Sequence, residues 1–376
     1  LMSTRPYNFS AGPAILPPVV FERTSEAVRR LDVPGDTSLE SQLSILEISH
    51  RSKTYDAIHQ EAMELCHAVL GIPRTHAILF LQGGASLQFA MVPMNLRIEG
   101  KAACYVDTGA WSKKAIAESK QLGPTEVIAS SADTRYDRIP AFPSADAYAG
   151  ASYVHITTNN TIFGTEYAEL PQLEGDVPLV ADMSSNIGDR PMLLERVALG
   201  YAGAQKNLGP SGLTLVFLHR DLLAREPASP VPTMLRYGTH AENDSLYNTP
   251  NTFGVLVLLN VLRWIRDEGG TQAIGARNQR KAAKLYELLD TSSLYQAHAQ
   301  PGSRSLMNVT WTLAGKDEDE SAARTKRFLA EAEAAGMSGL KGHRSVGGCR
   351  ASIYNAFPEE GVDALCAFMR EFERKA

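Results

Sequence analysis

The sequence predicts an α/β protein: a large domain with a mostly parallel, seven-stranded-type sheet covered by helices on both faces, followed by a smaller α+β domain. Three observations predict this class. The 376 residues exceed one ordinary domain. The composition, 44% hydrophobic and 21% charged, is that of a globular chain with a sizeable core. Short apolar runs alternate with amphipathic stretches, which is typical of a parallel sheet buried on both faces.

The alternation is clearest in the first part of the chain. Residues 52–70 place apolar side chains at intervals of three and four, which predicts an amphipathic helix ended by Gly71 and Pro73. Residues 77–81 predict a buried strand, a Gly83-Gly84 break follows, and residues 86–96 predict the next helix. Further strands are predicted, in chain order, at residues 102–106, 153–157, 178–181, 197–202 and 213–218.

The pattern changes after about residue 264. The predicted elements here are a helix at 271–289, a strand at 307–313, a helix that follows the polar tract 316–320 and runs through 335, a strand at 350–354 and a final helix from 360. We therefore predict a large domain over residues 16–265. Residues 266–376 form the predicted small domain, which the N-terminal arm 1–15 joins.

Composition and motifs exclude several functional classes. A net charge of −5 gives no basic surface for nucleic acid. The four cysteines lack the paired spacing of a disulfide scaffold or a zinc site, so a reducing compartment is expected. No secretory signal is recognised at the N-terminus, and the apolar stretch 255–262 is too short to span a bilayer. We expect a cytoplasmic protein with no metal, nucleic-acid or membrane partner.

Three features near the ends of predicted strands can carry chemistry, because open α/β sheets bind ligands there. The glycine turn before Ala85 and Ser86 suits a phosphate, although such turns are often structural. Asp182 ends a buried strand and either meets a cation or caps a turn with Ser184-Ser185. Lys206 lies in a tight turn and is either a solvated lysine or a partly buried, nucleophilic amine.

Together these features suggest pyridoxal phosphate. The phosphate would bind at the glycine turn, Asp182 would pair with the pyridinium nitrogen, and Lys206 would provide the Schiff-base amine. Trp111, which follows a predicted strand, could stack on the ring of the cofactor, although an aromatic residue there is more often part of the packing.

The sequence resembles the phosphoserine aminotransferase family, a group of fold-type-I pyridoxal-phosphate enzymes, over nearly its whole length. The matching segments, in order, are residues 8–14, 47–52, 82–89, 181–185, 201–207, 247–250 and 341–356. The resemblance implies reversible amino transfer between O-phospho-L-serine and 2-oxoglutarate, which gives 3-phosphohydroxypyruvate and L-glutamate. It also implies a side activity on 4-phosphohydroxy-L-threonine of pyridoxine synthesis.

The resemblance further implies a role for each site residue. Lys206 would hold pyridoxal phosphate as a Schiff base and move the substrate's α-proton, with Asp182 at the ring nitrogen. The other cofactor contacts would come from Ala85, Ser86, Trp111, Thr161 and Gln205, and from Asn248 and Thr249 of the neighbouring subunit of a homodimer. The substrate phosphate would bind His50, Arg51, His343 and Arg344, and the α-carboxylate would bind Arg350. Some family members have Arg at the position of Ser86, so phosphate affinity here would depend more on Arg51 and Arg344.

Two alternative functions share part of this pattern. A cysteine desulfurase would need a mobile nucleophilic cysteine, for which Cys349 is the candidate, although a buried inert thiol is the simpler interpretation. A protein that only stores or senses pyridoxal phosphate would not need the basic residues that the resemblance assigns to the substrate.

Overall fold

A seven-stranded sheet lies at the centre of the computed structural model, which describes residues 5–375. Residues 1–4 of the predicted arm and residue 376 of the predicted small domain lie outside the described residues. The α-helices are α1 (Pro18–Arg29), α2 (Lys53–Leu70), α3 (Gly84–Leu96), α4 (Ala110–Leu122), α5 (Tyr237–Ala241), α6 (Thr252–Asp267), α7 (Gly270–Thr291), α8 (Glu318–Ala334) and α9 (Glu359–Lys375).

The strands alternate with these helices as the sequence predicts. They are β1 (Tyr7–Asn8), β2 (His76–Leu81), β3 (Ala103–Asp107), β4 (Thr125–Ser130), β5 (Val154–Thr157), β6 (Asn159–Asn160), β7 (Thr165–Glu166), β8 (Leu179–Asp182), β9 (Leu199–Gly203), β10 (Thr214–His219), β11 (Tyr295–Ala297), β12 (Asn308–Leu313), β13 (Met337–Ser338) and β14 (Cys349–Ser352).

The large sheet has the order β2-β10-β9-β8-β5-β3-β4. Strand β10 runs antiparallel to both its neighbours, and every other pair in this sheet is parallel. The predicted α/β class with a mostly parallel seven-stranded sheet is therefore confirmed. Because β2, β3, β5, β8 and β9 all point the same way, their carboxyl ends meet at one edge of the sheet.

Local chemistry explains where the elements begin and end. Helix α2 begins after Ser52, whose hydroxyl oxygen accepts the Tyr55 N–H at 3.1 Å, and it ends at Gly71, whose φ of 73° favours glycine. Strand β14 ends at Ser352, before the predicted 354, because the chain turns there and the Phe357 N–H bonds to the Tyr354 carbonyl. Strand β4 was not predicted, since it is a largely exposed edge strand without a continuous apolar run.

Buried apolar side chains form three principal clusters. One extends from Val20 to Ile274 on one face of the large sheet, a second extends from Ala77 to Tyr237 on the other face, and the third joins Phe9 to residues between 282 and 372. The division into residues 16–265 and 266–376 remains a proposal that these clusters support, although the proposed boundary falls inside the last turn of α6. Within the described residues, no helix combines the length and apolar character needed to cross a bilayer.

Candidate active site

Four of the predicted site residues lie together at the carboxyl edge of the large sheet. Asp182 is the last residue of β8, Lys206 lies in the turn between β9 and β10, and Trp111 opens α4 after β3. Thr161 directly follows β6. Sequence positions as far apart as 111 and 206 are thereby brought together by the sheet order.

Lys206 is held in place by specific contacts. Its Nζ donates a hydrogen bond to Thr161 Oγ1 at 2.7 Å and lies 5.8 Å from the centre of the Trp111 ring. Burial, opposed by the charge of Asp182 and reinforced by that of Arg350, lowers the pKa of Lys206 to about 8. Lys206 is therefore not a freely solvated turn lysine, and a buried amine with a lowered pKa has the character that a nucleophilic lysine needs.

Asp182 uses one carboxylate oxygen to cap a turn. Its Oδ1 accepts the backbone N–H of Ser184 at 3.0 Å and the Ser184 hydroxyl at 2.7 Å, so the predicted turn cap is present. Burial raises the pKa of Asp182, while Ser184 and the nearby Lys206 oppose that rise. No hydrogen bond within residues 5–375 reaches its second oxygen, Oδ2, which remains available to a ligand cation.

Trp111 presents a flat aromatic ring, and the glycine turn leads into a helix start that can bind an anion. The indole Nε1 of Trp111 is buried and has no hydrogen-bond partner among the described residues. Gly83 opens α3 with a φ of 89°, and a Cβ there would lie 2.6 Å from Leu87 Cδ2, so this position requires glycine. Ala85 and Ser86 lie in the first turn of α3, where backbone N–H groups have no acceptor within the helix and can bind an anion.

These residues fit pyridoxal phosphate. The free oxygen of Asp182 can pair with the protonated ring nitrogen of the cofactor, and the indole of Trp111 can stack on its flat ring. The start of α3 can bind its phosphate, and the Lys206 amine can react with its aldehyde. Gln205, next to Lys206, is partly exposed at the same turn.

Two of the predicted substrate residues lie beside this group. Arg350 Nη1 approaches the Thr161 carbonyl at 3.5 Å, and its Nε is buried without a partner among the described residues. His343 lies near Arg350: burial lowers the pKa of His343, and the charges of Arg350, Arg344 and Lys114 lower it further. Arg344 is exposed and lines a groove of about 1000 Å³ on the small domain.

The chain does not bring the remaining predicted residues to Lys206. No hydrogen bond or ion pair of the described residues joins His50 or Arg51, which precede α2, to the Lys206 site. His50 is half-buried with an unpartnered Nε2, and Arg51 is exposed. Asn248 and Thr249 are exposed, and Asn248 lines a cavity of about 210 Å³ with Gln82 at the glycine turn. The roles of these four residues remain predictions.

Comparison with known proteins identifies the family. Residues 6–365 match the family model of the class-V aminotransferases. The phosphoserine aminotransferase of Geobacillus kaustophilus is 53% identical over 372 residues, which cover 99% of each chain. This chain belongs to the phosphoserine aminotransferase family of class-V aminotransferases.

Solved structures of that family share the fold. The phosphoserine aminotransferase of Bacillus circulans subsp. alkalophilus superposes with a TM-score of 0.90 at 45% identity, over 99% of each chain. A pyridoxal-phosphate-bound phosphoserine aminotransferase from Trichomonas vaginalis superposes with a TM-score of 0.87 at 36% identity, over 97% of this chain and 100% of the other.

Sequence reasoning did not single out Tyr354 and Asn308, whose hydrogen bonds join the small domain to the N-terminal arm. Tyr354 is fully buried, and its hydroxyl donates to the Ala11 carbonyl at 2.7 Å and accepts from Asn308 Nδ2 at 3.2 Å. A signal was present in the sequence, because Tyr354 comes four residues after Arg350 in a segment that matches the family.

Cys349 does not have the character that a desulfurase needs. It is 1% exposed, and its backbone pairs with Trp311 of β12 inside a sheet. Burial raises the pKa of its thiol. A mobile, thiolate-forming nucleophile needs the opposite surroundings.

Proposed function

We propose that this aminotransferase exchanges the amino group of O-phospho-L-serine with 2-oxoglutarate, reversibly, giving 3-phosphohydroxypyruvate and L-glutamate. Its relatives at 47–53% identity over almost the whole chain carry the name phosphoserine aminotransferase. The same site is proposed to accept 4-phosphohydroxy-L-threonine as a second amino donor.

The observation that carries the proposal is the bridge that Thr161 makes between two charged residues. Its hydroxyl accepts from Lys206 Nζ at 2.7 Å, and its carbonyl faces Arg350 Nη1 at 3.5 Å. An amine that must act at the α-carbon therefore lies next to a guanidinium that can bind the α-carboxylate of the same amino acid. This spacing suits an α-amino acid substrate.

Pyridoxal phosphate would be held by groups already in place. Lys206 Nζ would hold it covalently, Asp182 would pair with its ring nitrogen, and Trp111 would cover one ring face. The N–H groups of Ala85 and Ser86, with the Gln205 amide, would bind its phosphate, and Thr161 would contact its phenolic oxygen. When bound, the cofactor supplies a carbonyl carbon for the amino group and a ring that withdraws electrons from the α-carbon.

The chain's own residues would then orient the substrate and move its proton. With a pKa of about 8, roughly a tenth of Lys206 is neutral at neutral pH. That fraction can take the α-proton of the substrate and return it. Arg350 would fix the α-carboxylate, while His343 and Arg344, with His50 and Arg51, would surround the phosphate.

We further propose a homodimer with shared active sites. Leu39 and Leu46, which precede His50 and Arg51 in the chain, are 80% and 66% exposed, and exposed apolar side chains of this kind often mark a subunit interface. Asn248 and Thr249, exposed near the glycine turn, would cross the same interface to the neighbouring cofactor phosphate. The four cysteines are free and buried, which supports the proposed cytoplasmic, reducing location.

Amino transfer itself tests the proposal. Purified protein with pyridoxal phosphate should form glutamate from 2-oxoglutarate when phosphoserine is the donor, and far less when serine replaces it. The matched control is Lys206→Ala, which should form none. If the protein binds the cofactor yet forms no glutamate from phosphoserine, the proposed function is wrong.

A further inference from the structure

Asn207, the residue directly after Lys206, ties the turn between β9 and β10 to the small domain. Its side chain is buried, and its Oδ1 accepts the backbone N–H of Asn355 at 3.1 Å. Its Nδ2 also approaches the sulfur of Met307 at 3.6 Å. In the part of the chain that the structure describes, every hydrogen bond from this turn to residues 266–376 comes from Asn207.

Asn355, at the other end of this hydrogen bond, is itself held on two sides. It is 1% exposed, and its Nδ2 donates to the Gly188 carbonyl at 2.9 Å. Lys281 Nζ donates at 2.8 Å to the Tyr354 carbonyl, which belongs to the same peptide unit as the Asn355 N–H. A hydrogen bond to the carbonyl of a peptide unit polarises its N–H, so the donor that Asn207 meets is strengthened.

This contact connects the turn of Lys206 to the strand of Arg350. Arg350 lies in β14, five residues before Asn355, and β14 pairs with β12 in a three-stranded sheet. A shift of that sheet therefore moves Arg350 and the Asn355 N–H together. Lys206 Nζ and Arg350 Nη1 approach two atoms of one residue, the hydroxyl and the carbonyl of Thr161, at 2.7 Å and 3.5 Å.

We propose that Asn207 is a positioning residue, whose bond to the small domain sets how far the Arg350 guanidinium lies from the Lys206 amine. An α-amino acid uses both groups at once, because its carboxylate and its α-carbon are adjacent. The separation of the two groups therefore decides whether the bound carboxylate leaves the α-carbon within reach of the amine. The inference rests on the proposed function for the assumption that Lys206 and Arg350 act on one substrate.

Loss of the Asn207 oxygen should increase this separation. The Asn355 N–H becomes a buried donor without an acceptor, and its segment shifts until water can reach it. Arg350 moves with that segment, so the α-carboxylate binds more weakly. The positive charge of Arg350 then acts less on Lys206, whose pKa rises. Asp182, the other charged group that acts on Lys206, is the same in parent and variant.

The first test measures the Lys206 amine in full-length Asn207→Leu protein freed of cofactor. Leucine keeps the size of asparagine and removes both of its polar atoms. Trace amounts of acetic anhydride acetylate neutral amines, and mass spectrometry quantifies the labelled Lys206 peptide from neutral to alkaline pH. We expect the pH midpoint of Lys206 to rise by roughly half a unit relative to the parent. An unchanged or lower midpoint would overturn the proposal.

A double variant shows whether the effect passes through Arg350. Arg350→Ala should raise the midpoint by itself, and addition of Asn207→Leu should raise it no further, because the charge that Asn207 positions is already absent. Additive shifts would mean that Asn207 acts on Lys206 through the turn alone, which contradicts the proposal.

Asn95→Leu is the matched control. Asn95, in the last turn of α3, is 6% exposed. Its Oδ1 accepts the Tyr237 N–H at 3.0 Å, and its Nδ2 donates to the Met91 and Leu235 carbonyls at 2.8 Å. Its loss removes comparable hydrogen bonds within the large domain and should leave the Lys206 midpoint unchanged. Equal shifts in Asn95→Leu and Asn207→Leu would show a general loss of stability and refute positioning.

Kinetics of the loaded enzyme give a second readout. At alkaline pH, where Lys206 is neutral in both proteins, Asn207→Leu should raise KM for phosphoserine and glutamate alike by roughly three- to tenfold, with kcat near the parent value. A fall in kcat with unchanged KM would contradict the proposal. If Asn207→Leu does not fold, Asn207→Ala leaves room for water as a substitute acceptor. Smaller changes of the same sign are then expected, and no change in KM or midpoint would refute the role.

The outcome is separable from that of the proposed function. A raised midpoint in a protein that forms no glutamate from phosphoserine would leave the positioning role intact and refute the proposed reaction. An unchanged midpoint in an active aminotransferase would do the reverse.

Discussion

Removal of Arg350 should lower kcat/KM for every amino-acid substrate. Removal of Arg344 should lower kcat/KM only for phosphorylated substrates. Arg350 makes one long contact, 3.5 Å, to the Thr161 carbonyl, and its buried Nε has no partner within the described residues. Its guanidinium is thus available to a carboxylate. Loss of a charge-assisted contact costs about 1.5–3 kcal/mol, or roughly one to two decades in kcat/KM.

Arg350→Ala should also change the pH dependence. The Arg350 charge helps to lower the pKa of Lys206, so its removal raises that pKa. Less neutral amine is then present at a given pH, and the rising limb of the activity profile should move to higher pH. Arg344→Ala should leave this limb in place, since burial, Asp182 and Arg350 set the Lys206 pKa.

The assay is kcat/KM for phosphoserine, serine and glutamate in the parent and each variant. Arg350→Ala should lower kcat/KM for all three substrates by a similar factor. Arg344→Ala should lower kcat/KM for phosphoserine alone, by roughly one to two decades. Arg74→Ala is the control, because Arg74 is an exposed arginine that pairs with Glu64 of α2. Equal losses for all three substrates in Arg344→Ala, or a parent that prefers serine, would refute the phosphate assignment.

Other variants test the remaining assignments. Lys206→Ala should abolish transamination while circular dichroism shows an intact fold; turnover near the parent rate would contradict its role. Asp182→Asn should lower kcat far more than cofactor occupancy, because the charge opposite the ring nitrogen is lost, and an unchanged kcat would leave Asp182 as a cap alone. Lys281→Met should lower the free energy of unfolding in urea by about 2–5 kcal/mol, since buried Lys281 Nζ donates to three backbone carbonyls at 2.8–3.1 Å. Lys284→Met, on the exposed face of the same helix, should change it by less than about 1 kcal/mol, and equal losses would contradict this account.

Much of the fold was predictable because its signals are local. Continuous apolar runs predict β2 and β8, and the capping serine and terminal glycine predict the limits of α2. Strand β4 was missed because its pairing with β3, and not its own composition, makes it a strand. Its residues are mostly polar or exposed, so they carry no local apolar signal.

The site was predictable in part for a similar reason. Lys206 and Asp182 follow apolar strands, and the sequence alone marks those positions. The hydrogen bonds of Tyr354 could not be predicted, because they depend on where the N-terminal arm and β12 place Ala11 and Asn308. The contact between Lys206 and Thr161 likewise joins positions 45 residues apart, which local patterns do not relate.

The two half-reactions followed by absorbance test the central claim most directly. Protein loaded with pyridoxal phosphate should absorb near the visible edge. Phosphoserine alone should remove that absorbance, and 2-oxoglutarate added afterwards should restore it. Absorbance that phosphoserine leaves unchanged, or that 2-oxoglutarate fails to restore, would contradict the assignment of this site to amino transfer from phosphoserine.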